Sequence, residues 1–367
     1  MFDRTSGPPD HRGARSFFGA GTWNPEARVA VMALVARSTM RRVVATCAAM
    51  GLATFVVGLN AVPAWAVTCS GGATMTIDLA GGESVTISLG GGDDPRTIDL
   101  SPSDPSCSGF DTSNVTTIRA NGADGNESVT INQAGGAPFP HQNTTSIEVA
   151  LGGGSDALLI VGQATADTID LGADGISLGG GGTPDVTGLG SVETLAVAAG
   201  GGDDAVSGRQ GDALGGDLGT GATIAGGEGN DTLTGGTGTD VISGGDGNDT
   251  MKGGKGDDTV DGGGGDDVVS GGKGGDAVSG GANGDRLKGG DDADSLDAGN
   301  GNDTASGGKG PDTVHGGTGN DRLDGNGGDD DVKGEEGRDQ LSGGRGNDHC
   351  LGGPDPDSIT GCEHGRP

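Results

Sequence analysis

An apolar side chain recurs every nine residues between residues 226 and 360, with mostly polar or small residues around it. The series is Leu233, Ile242, Met251, Val260, Val269, Val278, Leu287, Leu296, Ala305, Val314, Leu323, Val332, Leu341, Cys350 and Ile359. One inward residue between outward neighbours is typical of a short strand. In the unit 244–252, positions one to six have turn-forming residues and positions seven to nine are predicted to form a minimal strand. So short a period predicts stacked repeats.

Residues 67–199 show a looser version of the same texture, in which apolar and polar residues alternate and no helical period occurs. The runs that read as half-buried strands are 76–79, 85–89, 97–100, 129–131, 147–149, 168–171 and 192–197. The pattern predicts an irregular β-solenoid leading into the regular one, with a separate β-sandwich as the alternative. Residues 200–225 keep the glycines and lose most of the aspartates, which indicates degenerate repeats or a linker.

The N-terminal part has the order of a secretory signal. Residues 1–39 carry no interpretable pattern, whereas residues 40–66 contain Arg41 and Arg42, an apolar run over 43–59 and a small-residue site at Ala64 and Ala66. This order predicts a signal peptide that is removed on export, and a retained membrane anchor is the alternative. Met1 and Met40 are both candidates for the true start. Residues 361–367 are predicted to form a C-terminal tail.

An aspartate stands two places before each apolar residue of the repeats, at position six of the unit. The fifteen are Asp231, Asp240, Asp249, Asp258, Asp267, Asp276, Asp285, Asp294, Asp303, Asp312, Asp321, Asp330, Asp339, Asp348 and Asp357. Glycines at positions one, two and four permit positive φ and let backbone carbonyls face one cavity. A carboxylate is a hard oxygen ligand that suits calcium, and calcium's six to eight ligands require neighbouring turns to share an ion. A flexible Gly/Asp-rich linker, the alternative, does not explain the unbroken frame.

Composition and charge point the same way. The chain has 84 glycines in 367 residues, no tyrosine, and no aromatic residue after Phe139. A conventional core relies on large side chains, so the part of the chain that follows Phe139 must be disordered or held by something other than hydrophobic burial. The formal net charge is -32, and residues 226–360 hold 29 acids against 10 Lys or Arg. This sign disfavours nucleic acid and favours divalent cations, which would neutralise the repulsion between turns.

With these units in view, residues 226–360 resemble the haemolysin-type calcium-binding repeats of the RTX (repeats-in-toxin) family, whose consensus is GGxGxDxUx. The resemblance implies an all-β, right-handed parallel β-roll with two nonapeptides per turn and several calcium ions between successive turns on both edges. Carried onto this chain, it pairs Asp231 with Asp249 and Asp240 with Asp258, and so on along each edge. Fifteen units then make about seven turns, a rod on the order of 35 Å long.

Some units depart from the consensus. The residues that replace consensus glycines are Ala298, Asn326 and Glu335 in the glycine pair, and Asn283, Asp292 and Asp355 at position four. We therefore expect weaker or distorted sites between Asp285 and Asp303 and between Asp330 and Asp339.

Four cysteines remain outside the predicted signal, which contains Cys47. An even number in an exported chain predicts two disulfides, with three pairings open. Proximity favours Cys69 with Cys107 and Cys350 with Cys362, and a free thiol at Cys350 is the alternative.

The sequence has no HExxH motif and no GxSxG elbow that leads from a strand into a helix. His141, His315, His349 and His364 have no evident acid or nucleophile beside them, and His315 and His349 occupy water-facing positions of the repeat. The part after the signal also lacks the long apolar segments of a pore-forming toxin.

We therefore predict a non-enzymatic calcium-binding protein, secreted or at the cell surface. It is expected to act as a structural, matrix or adhesive module with envelope or matrix partners and no membrane span in the mature chain. The alternative is a calcium-dependent accessory region of a secreted enzyme or toxin with an unrecognised active site in 67–199.

Overall fold

The computed structural model describes residues 66–70, 74–78, 84–89, 98–101, 117–121, 126, 128–132, 146–151, 155–165, 167–172, 175–178, 186–187, 189, 192, 194–208 and 221–366. The predicted extension 1–39 lies outside these residues, as does the predicted signal peptide up to residue 65. Over the described ranges the regular structure is all β, and no helix there is long and apolar enough to cross a membrane.

Thirteen strands precede the regular repeats within the described residues. They are β1 (Ala66–Ser70), β2 (Thr74–Asp78), β3 (Ser84–Leu89), β4 (Ile98–Ser101), β5 (Thr117–Asn121), β6 (Ser128–Asn132), β7 (Ser146–Ala150), β8 (Ala157–Val161), β9 (Thr168–Gly172), β10 (Gly175–Leu178), β11 (Val186–Thr187), β12 (Thr194–Gly201) and β13 (Ala205–Ser207). Each of the seven predicted runs overlaps one of these strands. The sequence analysis did not predict β1, β5, β8, β10, β11 or β13.

Seventeen further strands follow in the described part of the chain. They are β14 (Ala222–Glu228), β15 (Thr232–Thr237), β16 (Val241–Asp246), β17 (Thr250–Lys255), β18 (Thr259–Gly264), β19 (Val268–Lys273), β20 (Ala277–Ala282), β21 (Arg286–Asp291), β22 (Ser295–Asn300), β23 (Thr304–Lys309), β24 (Thr313–Thr318), β25 (Arg322–Gly327), β26 (Asp331–Glu336), β27 (Gln340–Arg345), β28 (His349–Leu351), β29 (Ser358–Thr360) and β30 (His364–Arg366). The predicted C-terminal tail thus contains a strand, since β30 pairs in parallel with β28.

Consecutive strands of the repeat block alternate between two sheets. Odd-numbered strands from β15 to β29 belong to the first sheet and even-numbered strands from β14 to β30 to the second. Each strand pairs in parallel with the strand two further on, so that Thr250 in β17 lies beside Val268 in β19, at the same position of the unit after next. One coil therefore holds two nonapeptides, and the predicted parallel β-roll is confirmed.

Each repeat strand is longer than predicted. The predicted strand covered positions seven to nine alone, and this was wrong, because β17 (Thr250–Lys255) has six residues and its turn covers only 256–258. The parallel ladder resumes after the first glycine of the pair, where Gly254 lies beside Gly272 and Lys255 beside Lys273. The glycine pair therefore lies within the strand and the turn is short.

The apolar residues at position eight form a continuous core between the sheets. Those from Leu233 to Cys350 are at most 3% exposed, as the pattern predicted, and Ile359 packs against them partly buried. The expectation that hydrophobic burial could not contribute here needs correction. Each strand adds one small or medium apolar side chain, and stacking joins these into a thin core without aromatic residues.

The same two sheets continue into the strands before the repeats, with unequal coils. Leu195 in β12 pairs with Ala222, a coil as long as three nonapeptides, whereas Ser84 in β3 pairs with Ser128 across a still longer coil. Several of these strands bury two apolar side chains each, such as Val129 and Ile131 in β6. Antiparallel pairs also occur, between β1 and β2, β3 and β4, and among β9, β10 and β11. The continuity agrees with an irregular solenoid and not with a separate β-sandwich.

Candidate metal centre

The framed aspartates lie in two rows, one at each edge of the roll, where the turns connect the sheets. Those from Asp231 to Asp348 are at most 3% exposed, and Asp357 is half-buried. Within a row, the backbone N–H of one aspartate donates to Oδ1 of the aspartate in the next coil. The distance is 2.7 Å from Asp231 N to Asp249 Oδ1 and 2.8 Å from Asp240 N to Asp258 Oδ1. The stack thus makes neighbours of the aspartates that the resemblance paired.

The second carboxylate oxygen, Oδ2, is buried in all fifteen of these aspartates and has no hydrogen-bond partner. A buried polar atom without a partner is costly and is rare in folded proteins. Fifteen such oxygens, repeated at equal intervals along two edges, indicate that this oxygen faces a ligand.

The glycine at position one leaves the space into which this oxygen projects. A methyl group built on Gly253 would lie 2.4 Å from Asp258 Oδ2 and 2.7 Å from the carbonyl oxygen of Gly271 in the next coil. Calcium binds oxygen ligands at about 2.3–2.6 Å, so two hard oxygens converge on a space that fits this ion. We call the space the position-one cradle.

Only two of the three glycine positions have the backbone conformation that was predicted. Gly254 at position two and Gly256 at position four have φ values of 126° and 122°, whereas Gly253 at position one has no positive φ. Glycine at position one keeps the cradle open, because a side chain there would fill it. The prediction that all three glycines supply positive φ was therefore wrong for position one.

Side chains alone do not make a metal centre here. Within the described ranges, no three His, Cys, Asp or Glu side chains are grouped so that they could hold an ion. A site at these turns must therefore combine one or two carboxylates with backbone carbonyls, which calcium accepts and which the converging carbonyl of Gly271 illustrates.

Comparison with known families agrees with this geometry. Residues 219–359 match the family described as the RTX calcium-binding nonapeptide repeat, in seven overlapping segments. This block is an RTX repeat array. No curated protein matches the chain. Since RTX nonapeptides bind calcium, the chain is a calcium-binding repeat protein, and the rows of buried aspartates are consistent with its calcium sites.

The row of RTX aspartates extends one position further upstream than the site prediction did. Asp204 is 2% exposed, its backbone N–H donates to Asp231 Oδ1 at 2.8 Å, and its Oδ2 is also buried without a hydrogen-bond partner. The sequence contained a signal for it. Asp204 stands three nonapeptide lengths before Asp231, in frame, and Val206 follows it at the position of the inward apolar residue.

Burial raises the pKa of the framed carboxyl groups from Asp231 to Asp339. Desolvation is the largest cause, hydrogen bonds from backbone N–H groups oppose it, and neighbouring carboxylates add to it. The pKa rises to about 7 at Asp258, Asp285 and Asp294. It rises to about 6 at Asp204, Asp240, Asp267, Asp276, Asp312 and Asp321. At neutral pH, ionising these carboxylates without a bound cation therefore costs free energy, and a cation beside them would remove this cost.

Departures from the RTX consensus alter single turns and leave the stack intact. Asn283, Asp292, Asn326 and Glu335 take φ values of 77°, 83°, 70° and 75°, the left-handed conformation of the glycines they replace. Asn and Asp tolerate this conformation, and it is more strained for Glu.

Ala298 changes a cradle directly. It stands at position one of its unit, is fully buried, and fills with its methyl group the space that the other units leave beside the aspartate. Asp303, the aspartate of this unit, lies within the region where we expected weak sites.

Two histidines of the RTX array have acid partners that were not foreseen. His315 Nδ1 lies 3.1 Å from Glu335 Oε1, and His349 Nδ1 lies 3.0 Å from Asp331 Oδ1. In each pair the two residues belong to successive coils, so only the stacking of coils makes them neighbours. Both histidines face outward, as predicted. Of the other two, His364 is exposed in β30 and His141 lies outside the described residues.

Cys350 and Cys362 form a disulfide, one of the two pairings favoured by proximity, with their Cα atoms 6.0 Å apart. Cys350 occupies the buried position eight of its unit. The bond therefore ties the last residues of the chain to the core of the final coil. Cys107 and the side chain of Cys69 lie outside the described residues, so that pairing stays a prediction.

Proposed function

We propose that this chain is a secreted protein whose RTX array binds several calcium ions, folds as it binds them outside the cell, and serves as a structural, matrix or adhesive module. The observation that carries the proposal is the row of buried Oδ2 atoms without partners on each edge of the roll. The proposal includes no catalytic step, because HExxH does not occur in the sequence and the serine of its one GxSxG match, Ser177, is fully buried within β10.

The residues at each turn fit a calcium ion. At the turn of β17, for example, Asp258 Oδ2 and the carbonyl oxygen of Gly271 would be ligands, and the bound ion would supply the positive charge that two stacked turns lack. Calcium takes further ligands from carbonyls and water and tolerates irregular geometry. Each ion would therefore connect two coils of the stack as well as neutralise them.

Without calcium, the interactions that favour folding of the array are weak. Its core adds one apolar side chain per strand, it contains many glycines with a high conformational entropy when unfolded, and it carries 29 acids against 10 bases. Burying ionised carboxylates adds a further cost, as their raised pKa values show. Calcium binding offsets both the repulsion and the desolvation, so folding and binding are expected to be one event.

The coupling of folding to calcium binding predicts that the array folds outside the cell. Extracellular modules commonly bind calcium with dissociation constants of about 10⁻⁴–10⁻³ M. At such affinities the array stays expanded where free calcium is scarce and orders where it is plentiful. The predicted signal peptide over residues 40–66 and the disulfide between Cys350 and Cys362 support an extracellular location.

A calcium titration tests the proposal. The chain starting at Val67 is prepared in EGTA, and circular dichroism and small-angle X-ray scattering are recorded while calcium is added. As calcium is added, we expect the β signal of the circular dichroism spectrum to rise and the radius of gyration to fall, with a midpoint at a calcium concentration of about 10⁻⁴–10⁻³ M. Magnesium should cause a much smaller response, because it demands stricter octahedral geometry. Identical spectra and radii with EGTA and with calcium would refute the proposal.

The proposed secretion of the protein is tested by a separate measurement. The full chain is expressed in a cell that exports proteins, and the N-terminus of the protein in the medium is determined by mass spectrometry. A chain that begins at Val67 is expected. Retention of residues 40–66 in the membrane fraction would favour the anchored alternative.

A further inference from the structure

The basic residues of the RTX array are concentrated on one face of the roll. Of the ten Lys and Arg in residues 226–360, eight lie on strands of the first sheet and point outward. They are Lys252, Lys255, Lys273, Arg286, Lys288, Lys309, Arg322 and Arg345. Within residues 226–360, the outer face of the second sheet carries one base, Lys333, and seven acids: Glu228, Asp246, Asp261, Asp297, Asp331, Glu335 and Glu336. The two faces of this acidic rod therefore have opposite charge.

Five of these lysines line a groove along the first sheet. The groove has a volume of about 920 Å³ and crosses six strands, from β15 to β25. Its floor is formed by position-two residues, mostly glycines, so the backbone there has almost no side chains above it. Lys252 and Lys288 stand on one wall, and Lys255, Lys273 and Lys309 stand on the other. Six strands at about 4.8 Å spacing make it about 24 Å long. We call it the lysine groove.

The shape and charge of the lysine groove fit an extended chain of negative charges. One acid, Asp291, lines it and pairs with Lys309, which leaves the groove strongly positive. Serine and threonine hydroxyls between the lysines, such as Ser270 and Ser306, can bond to polar groups of a ligand. Ammonium groups on four successive strands of the first sheet, β17 to β23, along a straight trough match a polymer with a repeated carboxylate or sulfate.

We propose that the lysine groove binds an extended anionic polysaccharide. This rests on the proposed function and names the partner of an adhesive or matrix module. A second copy of the chain would offer its acidic sheet face, and a broad sheet does not enter a narrow trough. Single-stranded nucleic acid has the right charge, but proteins bind it largely by stacking bases on aromatic side chains, and none follows Phe139.

Calcium makes the groove accessible to a polyanion in two ways. The groove exists only while the coils are stacked. In addition, the fifteen framed aspartates are about half of the 29 acids in residues 226–360, so their neutralisation leaves 14 acids against 10 bases. Long-range repulsion of a polyanion then falls, and the local field of the lysines dominates within a Debye length of about 8 Å. Binding of the polymer is therefore calcium-dependent.

The test uses the full chain in about 1 mM calcium, with dextran sulfate as probe and neutral dextran of the same length as control. We expect dextran sulfate to bind, with an affinity that falls as salt rises, and dextran not to bind. The variant Lys273→Gln/Lys288→Gln is expected to lose affinity about tenfold, given the usual contribution of exposed ion pairs. The matched variant Lys333→Gln/Arg338→Gln removes the same charge elsewhere and is expected to stay within about twofold.

Other outcomes would overturn the inference. Equal loss in the two double variants would mean nonspecific attraction, and tighter binding of oligo(dT) than of dextran sulfate would assign the groove to nucleic acid. Circular dichroism of each variant in calcium checks that the roll is intact. A calcium-induced spectral change without dextran sulfate binding would refute polysaccharide binding by the lysine groove and would not contradict the proposed function. Absence of the spectral change would sink the proposed function instead.

Discussion

Replacing Gly262 with alanine puts a methyl group into the position-one cradle of a central unit. The methyl carbon would lie 2.2 Å from the carbonyl oxygen of Gly280 and 2.5 Å from Asp267 Oδ2. Both distances are far below a normal contact, so the carbonyl and the carboxylate must move apart from the point on which they converge. The substitution is therefore expected to disturb one calcium site more than the rest of the stack.

The size of the effect follows from two contributions. Overpacking of a tight site costs about 1–3 kcal/mol, and Ala298 shows that the roll accepts a buried methyl at this position, which favours the lower end. Losing a site that is filled at a hundred times its dissociation constant costs about 2.7 kcal/mol more. We expect the variant to lose about 4 kcal/mol in saturating calcium.

Gly264, on the same strand, provides the matched control. A methyl group there would lie 3.6 Å from Asp246 Oδ1 and 3.9 Å from the carbonyl oxygen of Gly245, which are ordinary contacts. Native Ala282 occupies the same position of another unit. Gly264→Ala is expected to stabilise the protein by about 0.4–1 kcal/mol, because alanine has fewer conformations in the unfolded chain.

The assay is a calcium titration by isothermal calorimetry together with thermal unfolding in saturating calcium. Gly262→Ala should bind one ion fewer than the wild type and unfold at a lower temperature in calcium, whereas Gly264→Ala should match the wild type in stoichiometry. If Gly262→Ala binds the same number of ions with the same midpoint, the cradle is not the calcium site.

Three further predictions follow from the structure. Ala298→Gly empties the filled cradle and should raise the calcium stoichiometry by one or lower the midpoint, measured by calorimetry; no change would contradict the role given to position one. Without calcium, acidification from neutral pH to about pH 4.5 should shift the expanded array toward the folded roll, read as a gain of β signal by circular dichroism, since groups such as Asp258 have a pKa of about 7 when folded against 3.8 when unfolded. This stability is complete below about pH 4 and is lost as pH rises through about 7, and calcium should reverse the trend because protons compete with the ion. Cys362→Ser should cost about 2–3 kcal/mol by removing a cross-link between positions with a sequence separation of 12, read from unfolding in calcium with the reduced wild type as comparison.

Much of the repeat block could be predicted from local pattern. The inward residue at position eight and the aspartate two places before it are set by a period of nine, and each strand holds one such apolar residue. Positive φ at positions two and four follows from glycine itself. The disulfide between Cys350 and Cys362 was among the favoured pairings because the two residues are close in sequence.

Other features exist only because successive coils stack on one another. The glycine at position one is needed for the carboxylate of its own unit and a carbonyl of the next coil, and neither contact is visible in a single unit. The contacts of His315 with Glu335 and of His349 with Asp331 join residues one coil apart. Before the repeat block, the coils differ in length and the sequence has no fixed period. The strands that pair with β3 or β12 could therefore not be predicted from the sequence.

The lysine groove shows most clearly which features the sequence determines and which the stacking of coils decides. The order of residues in the chain determined that the lysines fall mostly in every second strand. Only the parallel stacking, with alternate strands in opposite sheets, turned that order into a basic face and an acidic face. Side-chain direction is a local property of a strand, whereas the neighbours of that side chain are decided by the length of the coil that brings the next strand beside it.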